Sequence, residues 1–176
     1  MISRRTAIKW LHWLSLFLIL WFFLVEPEDV RDLGAAALAT HAGMGVILAL
    51  LTTAWFTMYL RKGLASRPGP KLPDWAKRAH PWLHRLLYWG TPVMVLSGAL
   101  TGFAAPYVIR AFDLVPINPG IGSKTIQGLL KEVHEIAFNT LIVAIMAHVA
   151  FTLWRHFRLK DNVLRIMVPK LLHKYL

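Results

Sequence analysis

Four long runs of apolar residues, separated by short polar stretches, dominate the chain. A helix of about 20 apolar residues crosses a bilayer, and the runs at about residues 7–25, 35–60, 81–106 and 130–154 each meet that length. The second run stops at Arg61 and Lys62, and the third opens at Pro81, a favourable first-turn residue. Pro92 lies inside the third run, where a kink is tolerated in a membrane helix. The pattern predicts an all-α integral membrane four-helix bundle, one domain over residues 1–176. Between runs two and three, the Pro-rich stretch from Arg67 to Asp74 predicts an extended linker. The stretch from Tyr107 to about Leu129, with Pro116, Pro119, Gly120 and Gly122, predicts an irregular loop whose flanks form short interfacial helices.

Composition changes this picture in two ways. At 56% hydrophobic residues in 176, the chain is too apolar for a water-soluble domain of its size. The net charge of +11 is a topology signal: 16 of the 20 Lys and Arg fall on one side, before or in the first turn of run one, between runs two and three or in the first turns of run three, or after run four. The positive-inside rule then places both termini and the middle loop in the cytoplasm, and it removes the reading of the charge as a nucleic-acid surface. The first outer connection is acidic, with Glu26, Glu28, Asp29 and Asp32 against Arg31. Ser3-Arg4-Arg5 imitates a twin-arginine signal, but no small-residue cleavage site follows, so run one reads as a retained span. Seven of the Trp residues, Trp10, Trp13, Trp55, Trp75, Trp82, Trp89 and Trp154, fall mostly near span ends, as interfacial anchors do.

The candidate chemistry is imidazole. The chain has 8 His and no Cys, which excludes disulfides, thiolate metal sites and thioether-linked haem. His12, His41, His134 and His148 lie within the spans, where an unpaired polar ring is costly. The 14 residues from His134 to His148 span roughly 21 Å of helix and return nearly to the same face. His12 is level with His148, and His41 with His134. Two imidazole pairs at two depths match the axial ligation of two b-type haems. Gly43, Gly45, Ala42, Ala137 and Ala147 are small enough for a macrocycle to approach the backbone. Structural interhelical hydrogen bonding is the simpler role for any one of these rings. Zinc wants three or four ligands at one depth, and only His12, His84 and His148 come close.

His84 is an alternative partner for His148 or a contact for a quinone head group, whereas His80 is expected at the solvated interface. His156 is expected in the headgroup region and His173 in the basic tail. Arg61, Arg78 and Arg85 inside, and Arg110, Lys124 and Lys131 outside, are candidate partners for haem propionates as well as ordinary topology charges. No Ser-His-Asp set, phosphate-binding Gly loop or paired acids within a span is present.

An ordered set of segments carries a resemblance over nearly the whole chain. These are Lys9-Trp10-Leu11-His12-Trp13, His41-Ala42-Gly43-Met44-Gly45, His84-Arg85-Leu86-Leu87-Tyr88, Leu130-Lys131-Glu132-Val133-His134-Glu135, Ala147-His148 and Lys160-Asp161-Asn162-Val163-Leu164-Arg165-Ile166-Met167. The sequence resembles the bacterial cytochrome b561 family of four-helix dihaem membrane proteins. The resemblance implies two haem b groups, one held by His12 and His148 and one by His41 and His134. It also implies exchange of single electrons with the membrane quinone pool, with superoxide as the preferred outer donor and ubiquinone as acceptor. Two other expectations stand beside it: a cytochrome subunit serving a partner dehydrogenase or hydrogenase, and a haem-free membrane scaffold or metal transporter.

Overall fold

The computed structural model describes residues 3–25, 34–168 and 173–174. The acidic connection of Glu26, Glu28, Asp29, Arg31 and Asp32 lies outside the described residues. Four long helices make up the body: α1 (Arg4–Leu24), α2 (Ala35–Lys62), α3 (Asp74–Phe103) and α4 (Lys124–Phe157). All four are long and apolar enough to cross a membrane. A two-stranded hairpin, β1 (Arg110–Ala111) and β2 (Val115–Pro116), stands between α3 and α4, and a short α5 (Leu164–Met167) follows α4.

The apolar runs locate the spans but not the ends of the helices. α3 begins at Asp74, so Pro81 lies inside it rather than in its first turn. Hydropathy marks where lipid begins, whereas the helix is extended by charged turns with their own partners. Lys77 pairs with Asp74 at 3.1 Å, and Ala76 is fully buried. Trp75 packs on Trp154 at 5.4 Å between ring centroids, which makes it a contact between helices as well as an exposed anchor. α4 starts at Lys124 and has 34 residues, about 51 Å of helix, so its ends project beyond a hydrocarbon core of about 30 Å.

Neighbours in sequence are neighbours in space. α1 packs on α2, α2 on α3 and α3 on α4, the last interface being the most extensive, while α1 and α4 are not closely packed among the described residues. The core sits at mid-height: Leu18, Ile19 and Phe22 of α1 meet Leu48, Met94 and Leu141 of the other three helices. Much apolar surface faces outward, including Phe17, Leu50, Val143 and Met146. A lipid solvent makes that exposure favourable.

The loop after α3 is an ordered hairpin, not an irregular loop flanked by interfacial helices. Arg110 pairs with Pro116 and Ala111 with Val115. The chain reverses at Phe112 and Asp113, both with positive φ, closed by the Leu114 amide donating to the Ala111 carbonyl at 2.9 Å. The Ile117 amide donates to the Ile109 carbonyl at 2.9 Å, and buried Asn118 closes the base of the hairpin. Its Oδ1 accepts from the Ile109 amide at 2.6 Å, and its Nδ2 donates to the carbonyls of Tyr107 at 2.9 Å and Ala105 at 3.4 Å. The Phe112 amide donates to the Ala39 carbonyl of α2 at 2.9 Å, and its ring lies against Gly43, where a Cβ would come within 2.5 Å of it. The hairpin thereby covers one end of α2.

At the opposite end, where most of the Lys and Arg lie, the loop at 63–73 is tied to the C-terminal segment. Arg155 donates through Nε and Nη2 to Oδ2 of Asp161, both at 2.8 Å, and both side chains are 5% exposed. Lys71 Nζ donates to the Lys160 carbonyl at 2.7 Å, and Trp13 Nε1 donates to the Met167 carbonyl at 3.0 Å. Lys160 and Asn162 take positive φ on either side of Asp161, which turns the chain back after α4. The Lys-Asp-Asn motif is therefore a turn pinned by an ion pair.

Candidate functional site

Imidazoles gather at two levels. At the hairpin end, His41 of α2 faces His134 of α4, with ring centroids 6.5 Å apart and planes at 89°. Phe22 of α1 touches His41 edge-on at 4.8 Å, so three helices meet at this level. At the basic end, His148 of α4 meets His84 of α3 at 5.0 Å and 87°. His12 of α1 lies nearest Trp13 and Trp55, at 5.5 Å and 6.5 Å, and is within electrostatic reach of both His84 and His148. The structure thus gathers His12, His84 and His148 at the basic level, with the His80 ring 4.3 Å from that of His84.

Hydrogen bonds orient two of the rings. His134 Nδ1 lies 3.1 Å from the Met94 carbonyl and 3.1 Å from Ser97 Oγ, while the Ser97 hydroxyl donates to the same carbonyl at 2.7 Å. A carbonyl only accepts, so Nδ1 of His134 carries the proton and Nε2 keeps its lone pair. His84 Nδ1 likewise donates to the His80 carbonyl at 2.9 Å. In contrast, Nδ1 of His12, His41 and His148 is buried with no hydrogen-bond partner among the described residues. The same holds for the hydroxyls of Ser15 and Thr52, although Thr40, Thr53, Thr91, Thr101 and Thr140 all donate to the carbonyl one turn earlier. Each orphaned buried polar group costs about 1–3 kcal/mol. Nδ1 of His80 and His156 is orphaned too, so such groups occur on all four long helices among the described residues.

This donor set fits a haem. An imidazole nitrogen meets a transition metal at about 2 Å, which puts the centroids of two rings sharing one metal roughly 6 Å apart; His41 and His134 stand at 6.5 Å. The described residues contain no group of three His, Cys, Asp or Glu side chains placed to hold a bare ion. A metal held by one such pair would take its remaining ligands from a bound group such as a porphyrin.

Several expectations change. His80 is not solvated but fully buried, with Nε2 3.1 Å from Ser66 Oγ, because the loop at 63–73 folds over it. His156 is likewise buried, against Phe157 at 5.0 Å. His173 is in the tail, with Nε2 3.1 Å from the Val168 carbonyl. Gly43 receives Phe112, and the glycine beside an imidazole is instead Gly98 of α3, where a Cβ would lie 2.8 Å from Cε1 of His134. Gly98 is 14 residues after His84, the same separation as His134 and His148. That spacing was the available signal for a third helix reaching the second level. Among the candidate cations, Arg85 lies over the Trp82 ring at 5.3 Å, Lys131 pairs with Glu135 at 3.3 Å, and Arg61, Arg78, Arg110 and Lys124 are exposed.

A membrane-spanning four-helix bundle with imidazoles gathered near both ends has the architecture of an intramembrane haem protein. Residues 4–170 match the family model for prokaryotic cytochrome b561. The chain belongs to the cytochrome b561 family of membrane electron-transfer proteins, whose cofactor is haem b. Cytochrome b561 homolog 1 of Escherichia coli (strain K12) is 27% identical over 171 residues, covering 92% of this chain and 94% of that protein.

Proposed function

We propose that the protein carries single electrons between superoxide and ubiquinone through two haem b groups in the bacterial inner membrane. His41 and His134 hold the outer haem; His12 and His148 hold the inner one. Bound haem supplies an iron that alternates between ferric and ferrous states. The observation that supports this most is the facing pair His41 and His134, whose separation suits two rings on one metal.

The inner assignment rests on the family resemblance and on distance. His84 and His148 at 5.0 Å are closer than two rings sharing an iron. His84, held by the His80 carbonyl, then flanks the inner haem and is a candidate contact for the quinone head group. The positive-inside rule puts the basic end and both termini in the cytoplasm.

The electron balance is simple. Two superoxide anions each give up one electron and leave as dioxygen, and ubiquinone takes up both electrons with two protons to become ubiquinol. Arg110 and Lys124 at the hairpin end provide positive charge that attracts the anion. The protein's own work is ligation, separation of the two sites by the apolar layer of Leu18, Leu48, Met94 and Leu141, and exclusion of water from the path.

Purified protein is expected to show a b-type α band on reduction and two haems per chain by the pyridine assay. Superoxide generated enzymatically is expected to drive ubiquinone reduction without another protein. Absence of the α band overturns the haem reading. A haem-loaded protein that reduces quinone only with an added dehydrogenase or hydrogenase overturns superoxide as donor.

A further inference from the structure

The four proposed ligands differ in how their rings are held. At the basic level and on His41, the Nδ1 atoms of the proposed ligands have no partner among the described residues. His134 alone among the four has two acceptors, the Ser97 hydroxyl and the Met94 carbonyl, each at 3.1 Å. The hydroxyl is itself fixed by its bond to Met94 at 2.7 Å, and Ser97 is buried, so water does not compete for it. The next residue, Gly98, leaves the space that the ring occupies: a Cβ there would lie 2.8 Å from Cε1 and 3.2 Å from both ring nitrogens. Both come from α3, the helix that supplies no ligand in the proposed set.

We propose that Ser97 and Gly98 are positioning residues for His134, fixing its ring and tautomer and setting the reduction potential of the outer haem below the value an unsupported imidazole would give. This rests on the reading that His134 is an axial ligand. An Nδ1–H that donates to a good acceptor makes Nε2 a stronger electron donor, which favours ferric iron. Loss of the Ser97 hydroxyl weakens that donation but leaves the Met94 carbonyl, so the ring keeps its tautomer. A side chain at position 98 acts differently, by pushing the ring away from the metal axis.

The test is a spectroelectrochemical titration of purified S97A, S97T, G98A and H134A beside the parent protein, with haem content and the low-temperature EPR signal of the ferric form. S97A is expected to retain two haems and to move only one of the two potentials, upward. S97T, which keeps the hydroxyl, is expected to return that potential to the parent value. G98A is expected to lose one haem or to alter one of the two ferric EPR signals. If S97A instead loses one haem, the proposal holds provided S97T retains both. Unchanged potentials in S97A, an equal shift in S97T, or an unaltered spectrum with full haem content in G98A would overturn it. H134A separates the two levels of argument. Retention of both haems in H134A defeats the ligand reading itself, whereas loss of one haem in H134A with no effect of S97A defeats only the positioning role.

Discussion

Histidine identity carries most of the chemistry, and its effects are separable residue by residue. His41→Ala and His134→Ala are each expected to halve the haem content by removing the outer group, leaving the other spectroscopically intact. His12→Ala and His148→Ala are expected to remove the inner group. His84→Ala is expected to keep both, because its ring centroid lies 5.0 Å from that of His148, closer than two rings that share one iron would be. Haem content by the pyridine assay checks the set, and loss of a haem in His84→Ala with retention in His12→Ala would reverse the inner assignment. The candidate rings were legible from depth alone, since helix rise converts spacing directly into level. The nearness of His84 to His148 was legible in the same way, whereas the burial of His80 and the space at Gly98 were not. Each depends on the rotation and approach of neighbouring helices, which one-dimensional spacing does not contain.

The elements at the two ends hold the bundle in different ways. Asn118 satisfies one amide and two carbonyls in a buried hairpin base. Asn118→Ala is expected to destabilise the protein by about 1–3 kcal/mol, the usual cost of leaving such groups unpaired. A lower midpoint of thermal unfolding in detergent, with faster amide exchange across residues 107–118, checks this. At the basic end, Asp161→Ala strands a buried guanidinium and is expected to cost about 3–5 kcal/mol. Replacing both partners with apolar residues of similar volume, as in Arg155→Met with Asp161→Leu, is expected to recover much of that stability in the same melting assay. Neither element was readable as such in the sequence. Pro116, Pro119 and Gly120 signalled a turn-rich loop, but strand pairing over two residues is below what alternation can reveal. The Lys-Asp-Asn segment identified a family without disclosing that Arg155, six residues earlier, is its partner.

For the whole molecule, the spans were the most legible feature because lipid imposes one requirement on every residue it touches. Lengths were less so, since polar turns at residues 74–80 and 124–129 continue helices beyond the apolar limit. Orientation is a property of the entire charge distribution, and 16 of 20 cationic residues on one side predict cytoplasmic termini. Green fluorescent protein fused to the C-terminus is expected to fluoresce, and alkaline phosphatase at the same place to be inactive; the reverse result would invert the topology. Among the described residues the bundle is closed unevenly, with α3 most extensively packed on α4 and α1 held mainly by α2 and by the mid-height core. Before cofactor arrives, α1 is thus the less extensively packed end of the bundle, and a haem held by His12 and His148 would join it across to α4. Newly made chains starved of haem are therefore expected to be cleared faster by membrane proteases than loaded ones. Cofactor supply would then govern how much of the protein the cell retains.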